Sequence, residues 1–206
     1  MVGEAEAMTL NARLVRRSAL VLAAMCCVLL TGRQAAAQKV LGIFGSGKTQ
    51  YKIFKDAAGR FELEYPTKDW SSIPTGGSAV AILSSKDRAA TVVIDLSKLT
   101  EPLAPAEVET NAKIELETLK QQQPTAKDFT SEIVDSKAGV RASLIKYLRV
   151  GANGPERVMH FTIGIGLELY RLDAVVAEAI KSRYEAILNY MLLSFKAPAG
   201  PAGSKD

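Results

Sequence analysis

The chain reads as an α+β domain in which a mostly antiparallel sheet carries two long helices. Three observations predict this. Short alternating or β-branched runs recur between Tyr51 and Asp173. Helical periodicity is confined to one segment opened by Pro105 and one running up to Phe195. Most strand-to-strand connections are too short for parallel crossovers, which need about a dozen residues or more.

The elements follow in order. Tyr51 and Ile53, then Phe61, Leu63 and Tyr65, alternate with polar residues around the turn Asp56-Ala57-Ala58-Gly59. That is strand period broken by a turn. Pro66 ends the second strand and Trp70 is expected in a loop. Ala79 to Leu83 and Ala90 to Leu96 predict an apolar strand pair joined at the polar corner Lys86-Asp87-Arg88. Pro105 suits the first turn of a helix, where its missing N–H costs nothing. Val108, Ala112, Leu116 and Leu119 form the apolar face of that helix, and Gln121-Gln122-Gln123-Pro124 ends it. Its acids and lysines, Glu107 to Lys120, read as a solvated face.

Four strands are predicted next: Phe129 to Val134, Val140 to Val150, Val158 to Ile165 and Leu167 to Asp173, with a hairpin turn at Asn153-Gly154. Val176, Ile180, Tyr184, Ile187, Leu188, Met191 and Phe195 then recur at helical steps, giving the closing helix. The tally is about eight strands and two helices.

The first 37 residues have the form of a secretory leader. Arg13, Arg16 and Arg17 precede the apolar run Ala19 to Leu30, and Ala35-Ala36-Ala37 precedes Gln38. The run is too short for a membrane span, which needs about 20 apolar residues. A Sec-type signal is the expectation, with Arg16-Arg17 leaving a twin-arginine route open and Met8 an alternative start. Met25 before Cys26 argues against a lipid anchor. Cleavage at Gln38 would remove Cys26 and Cys27, leaving no disulfide, no cysteine metal site and no thiol nucleophile. Arg13, Arg16, Arg17 and Arg33 contribute to the net charge of +4, so no nucleic-acid-binding surface follows from it. The predicted organisation is a signal peptide (1–37), a Gly-rich lead-in (38–50), one domain (51–196) and a disordered Pro/Gly/Ala tail (197–206).

Gly42-Ile43-Phe44-Gly45-Ser46-Gly47-Lys48-Thr49 matches the nucleotide-binding P-loop pattern. Val92-Val93-Ile94-Asp95 resembles its Mg²⁺-orienting strand. The surroundings oppose that reading. A P-loop joins a buried strand to a helix, whereas only Lys39, Val40 and Leu41 lie between Gln38 and the pattern, and Gln50 to Lys55 has strand period. An exported protein would also lack nucleotide.

His160, the chain's one histidine, reads as a bonded sheet-face residue, since a multi-histidine metal site is impossible. The acids Glu62, Glu64, Asp69, Asp95, Glu101, Asp135, Glu156, Glu168 and Asp173 leave a carboxylate hydrolase as the alternative, if two of them face each other across a cleft. A Ca²⁺ loop pattern is missing.

The stretch Lys55-Asp56-Ala57-Ala58-Gly59-Arg60-Phe61-Glu62-Leu63-Glu64-Tyr65-Pro66, followed by Trp70, resembles the opening of PsbP-like domains. An apolar strand pair, a long helix, a Gly-containing hairpin, Leu169-Tyr170-Arg171-Leu172 and a helix ending Leu193-Ser194-Phe195 continue the likeness over Tyr51 to Phe195. The resemblance implies the α-β-α sandwich of PsbP and Mog-type proteins. It also implies a non-enzymatic binding or assembly factor with an unknown extracytoplasmic protein or membrane complex as partner. No cofactor and no metal-binding residue carries over. An exported bacterial member, periplasmic or secreted, fits the leader better than a plant lumenal one. Tyr65, Trp70 and Tyr170 are the candidate lining of a partner groove.

Overall fold

Two hairpin turns set the register on which the architecture rests. In the computed structural model, which describes residues 49–75 and 79–197, strands β7 (Arg141–Gly151) and β8 (Gly154–Ile165) meet at a two-residue turn, with Gly151 opposite Gly154. Strand β9 (Glu168–Ala177) follows across Gly166-Leu167, with Ile165 opposite Glu168. Gly154 has φ +114° and Gly166 φ +59°, both in the region that glycine enters without a Cβ clash.

These strands are part of one seven-stranded sheet. The others are β3 (Trp70–Ile73), β4 (Ala79–Ser85), β5 (Ala90–Lys98) and β6 (Lys127–Asp135). Its order is β3-β4-β5-β9-β8-β7-β6, with antiparallel pairing throughout. Strands β1 (Tyr51–Lys55) and β2 (Glu62–Pro66) form a separate antiparallel pair. Helix α1 (Val108–Gln122) joins β5 to β6, and α2 (Lys181–Leu193) follows β9 through the 3₁₀ turn Glu178–Ile180. The expected α+β class with an antiparallel sheet is what forms.

The residues of each strand alternate between two environments. Leu144, Phe161, Leu172 and Val92 lie in the main core with Phe61, Leu63 and Phe195, and with Tyr184, Leu188 and Met191 of α2. The alternate set, including Ser143, His160, Thr162 and Arg171, lies toward α1, whose Glu115 reaches all four. Asp87, in the β4–β5 turn, accepts hydrogen bonds from Ser85 Oγ at 2.6 Å and Tyr184 Oη at 2.7 Å, tying the start of α2 to the sheet.

Three local expectations are corrected. Trp70 begins strand β3, opposite Ser85, rather than lying in a loop; four residues are too few to show an alternation. Its ring packs edge-on against Tyr184. Val176 belongs to β9, opposite Ala90 and Arg157, because the β-branched pair Val175-Val176 extends the strand before the helix can start. Pro105 precedes α1 in a turn, and the helix begins at Val108. Residues 1–48 and 198–206, with the predicted leader, nearly all of the lead-in and most of the tail, lie outside the described residues.

Leu188 is fully buried whereas Ile114 is 61% exposed. Urea unfolding should therefore show Leu188→Ala costing about 2–5 kcal/mol. Ile114→Ala should stay within about 0.5 kcal/mol of the parent.

Candidate functional site

Helix α1 turns Val108 and Ala112 toward the sheet, and both are buried. One turn further along the same side is Glu115, where the sheet offers polar groups instead of apolar ones. His160, in the middle of β8, lies opposite Ile145 on β7 and Asp173 on β9. Its Nδ1 is 2.5 Å from Asp173 Oδ1, and its Nε2 is 3.0 Å from Glu115 Oε1. Thr162 Oγ1 lies 3.3 Å from the same Nε2. Arg171 Nε donates to Glu115 Oε1 at 3.4 Å, and Ser143 Oγ donates to Oε2 at 3.4 Å. Arg171 also donates to Ser97 Oγ at 3.3 Å and faces Asp95 across the β5–β9 pairing. One helix and four strands thus converge on a charged cluster.

The charges decide what this cluster can do. His160 is only 6% exposed. Burial disfavours its cationic form, but Asp173 and Glu115 outweigh that and hold its pKa up to about 10. Burial likewise pushes the Glu115 carboxyl upward, and the His160 cation and Arg171 hold it down to about 2. At neutral pH the site is an imidazolium between two carboxylates, with both ring N–H groups donating. Thr162, His160 and Asp173 are spaced like a nucleophile, a base and its orienting acid. That arrangement needs a neutral imidazole with a free lone pair at Nε2. Here Nε2 is protonated and directed at Glu115, so it cannot take a proton from Thr162. Among the described residues, no group of three or more His, Cys, Asp or Glu is arranged to hold a metal ion.

The candidate partner groove is corrected. Tyr170 is fully buried, Trp70 is 5% exposed and Tyr65 is 8% exposed. Tyr170 packs against Phe61 and Phe195, and its hydroxyl donates to the Arg60 carbonyl at 3.2 Å and to Glu168. Inward alternation puts these aromatics in the core rather than along an open surface.

Several of the carboxylates considered for hydrolysis are ion-paired. Glu62 meets Lys55 and Lys196, Glu64 meets Lys137, Asp69 meets Lys86, and Glu156 meets Arg149. A cavity of about 360 Å³ opens between the β1–β2 turn and the β3–β4 end, lined in part by Phe54, Ile73, Pro74, Val80 and Ile82. Its acid, Asp56, is bound by Arg60 at 2.7 Å. Of the P-loop pattern only Thr49 lies within the described residues. Strand β1 follows at Tyr51 where a P-loop would open a helix, and Asp95 sits in a strand with antiparallel neighbours.

Two charged members of the cluster, Glu115 and Arg171, carry no signal in the sequence analysis. Charge alone puts Glu115 on a solvated face, but positions 108, 112, 115 and 119 form one helical stripe with Glu115 inside it. Arg171 carried no signal of its own, because its partners come from α1 and β5.

No protein-family model matches this chain, and no curated protein does. The fold nevertheless defines a class. The chain is similar to the solution structure of cyanobacterial PsbP (CyanoP) from Synechocystis sp. PCC 6803, with 15% identity and a TM-score of 0.56 over 77% of this chain and 99% of that one. It is also similar to LpqN, described as involved in cell envelope biogenesis of Mycobacterium tuberculosis, with 18% identity and a TM-score of 0.53 over 73% of this chain and 92% of that one. The Saccharomyces cerevisiae Ran-binding protein Mog1p matches at 10% identity and a TM-score of 0.49, over 72% and 96% of the two chains. The protein has the PsbP-like fold.

The cluster makes stability depend on pH in two directions. The Glu115 contribution is complete above its unfolded pKa, near 4.5, and is lost as pH falls toward 2. The His160 contribution is complete below its unfolded pKa, near 6.5, and is lost as pH rises toward 10. The contribution of this pair should therefore be greatest between 4.5 and 6.5. Urea unfolding across pH should show that maximum in the difference between the parent and His160→Gln. A pH-independent difference would contradict the assignment.

Proposed function

We propose that the protein is an exported, non-catalytic binding or assembly module. In this reading residues 1–37 are a cleaved leader, 38–50 a lead-in, 51–196 the PsbP-like domain and 197–206 a tail. The two helices would cover opposite faces of the sheet as the outer layers of an α-β-α sandwich.

One observation carries the reading. The cluster that most resembles catalytic apparatus is buried and bonded to itself, with His160 held as a cation by Asp173 and Glu115. It positions α1 and leaves no free base. The likeness to CyanoP and LpqN supports a module of this kind, and the envelope role named for LpqN accords with an extracytoplasmic location. No helix among the described residues is long and apolar enough to cross a membrane.

A tagged chain expressed in its native host tests this. The mature protein should begin at Gln38, fractionate outside the cytosol and migrate on native gels in a complex larger than the monomer. A strictly monomeric mature protein would count against it, as would ester, glycoside or phosphate hydrolysis abolished by His160→Gln.

The nucleotide reading has its own check. Titration with ATP and Mg²⁺ should give no saturable binding, in the parent or in Lys48→Ala. Binding lost in Lys48→Ala would restore the P-loop.

A further inference from the structure

Seen from the sheet, the place occupied by Glu115 is a receptor for a carboxylate. Oε1 accepts from His160 Nε2 and Arg171 Nε, and Oε2 accepts from Ser143 Oγ. Thr162 adds a hydroxyl to the same carboxylate. All four donors belong to the sheet, on β7, β8 and β9; α1 supplies only the anion. Two of the donors are fixed independently of α1. Asp173 holds the far nitrogen of His160, and Ser97 holds the guanidinium of Arg171. Removing Glu115 would leave these donors in place without the carboxylate they now bind.

The helix that carries this carboxylate is lightly seated otherwise. Val108 and Ala112 are its buried residues, Leu116 and Leu119 are half-buried, and Ile114 points to solvent. The receptor also has an open side. The Arg171 side chain is 28% exposed and that of Asp173 35% exposed.

We propose that the sheet surface beneath α1 is a carboxylate-binding site, which α1 fills with Glu115 in this closed form and which accepts a carboxylate from elsewhere when Glu115 is withdrawn. The charge balance selects the class of ligand. Asp173 beside His160 and Asp95 opposite Arg171 already supply negative charge, so a monoanion such as an aspartate or glutamate side chain fits where a phosphate dianion would bring excess charge. The inference deepens the binding-module reading and rests on it.

Chemical rescue of Glu115→Ala tests the site at about pH 6, where carboxylates are ionised and the imidazole of His160 stays protonated. Urea unfolding is followed in chloride, in formate and in a capped glutamate at matched ionic strength. Formate reports a free carboxylate ion and the capped glutamate a side-chain carboxylate. In chloride the variant should be less stable than the parent. Its folding equilibrium should rise about tenfold once a carboxylate probe reaches about ten times its dissociation constant. The double variant Glu115→Ala/Arg171→Gln should show no such rise. If Glu115→Ala does not fold in chloride, recovery of the folded state by formate or the capped glutamate is the same readout. Equal stability in all three media overturns the proposal, and so does a variant that stays unfolded with every probe. Because complex formation is read separately on native gels, failure here leaves the broader module reading standing or falling on its own test.

Discussion

A protonated imidazole between two carboxylates is the contact through which helix and sheet hold together on one side of this molecule. His160 lies 2.5 Å from Asp173, which belongs to the neighbouring strand, and 3.0 Å from Glu115, which belongs to α1. The first contact lies within the sheet and the second crosses to the helix. His160 is buried as a cation because Asp173 and Glu115 flank it, and Glu115 is held in turn by His160 and Arg171. Removing one partner of such a buried pair typically costs about 3–5 kcal/mol, since the remaining charge is left uncompensated. Replacing a whole buried ion set by well-packed apolar residues is often neutral or stabilising. What the ions supply, then, is better described as position than as stability: α1 has one seat in which Glu115 reaches its donors.

That seat depends on register. Shifting β8 by one residue against its neighbours would exchange the two faces of the strand. His160 would enter the core beside Leu172 and Leu188, and Phe161 would face Glu115. The turns at 152–153 and 166–167 prevent this by leaving only two residues between paired strand ends. Gly166 at positive φ and the Gly151–Gly154 closure are therefore linked to the charge cluster by strand geometry alone, although neither touches it.

Much of this was legible in the sequence, in proportion to how local each signal was. The β-branched run Ala90 to Leu96 and the alternation around Phe61, Leu63 and Tyr65 marked strands, because burial on a pleated sheet imposes that pattern. Trp70 was misplaced because its strand is four residues long, and Val176 because it also fits the helical steps that follow. The burial of Tyr65, Trp70 and Tyr170 could not be read from residue type, since an aromatic ring serves equally in a core or a groove. The cluster was half legible. A two-residue turn at Gly166-Leu167 places residue 160 opposite 173, so the His160–Asp173 contact follows once the turn is recognised. The Glu115 contact requires knowing that α1 packs over β7, β8 and β9, and no local pattern records which strands a helix will cover.

The two helices are attached by different physics, and this bears on how the fold can serve binding. Helix α2 contributes Tyr184, Leu188, Met191 and Leu192 to the main core. Displacing it would expose a large apolar surface, at about 25 cal/mol for each Å². Helix α1 buries Val108 and Ala112 fully and Leu116 and Leu119 in part, and its remaining contacts are made by charged and hydroxyl groups that water or another ligand can also satisfy. The free energy of local opening follows the apolar area exposed and the polar bonds left unmade. On both counts α1 is the cheaper helix to move once its carboxylate is matched from elsewhere. In the proposed exchange the sheet and α2 stay together through the main core, and α1 is the element that moves.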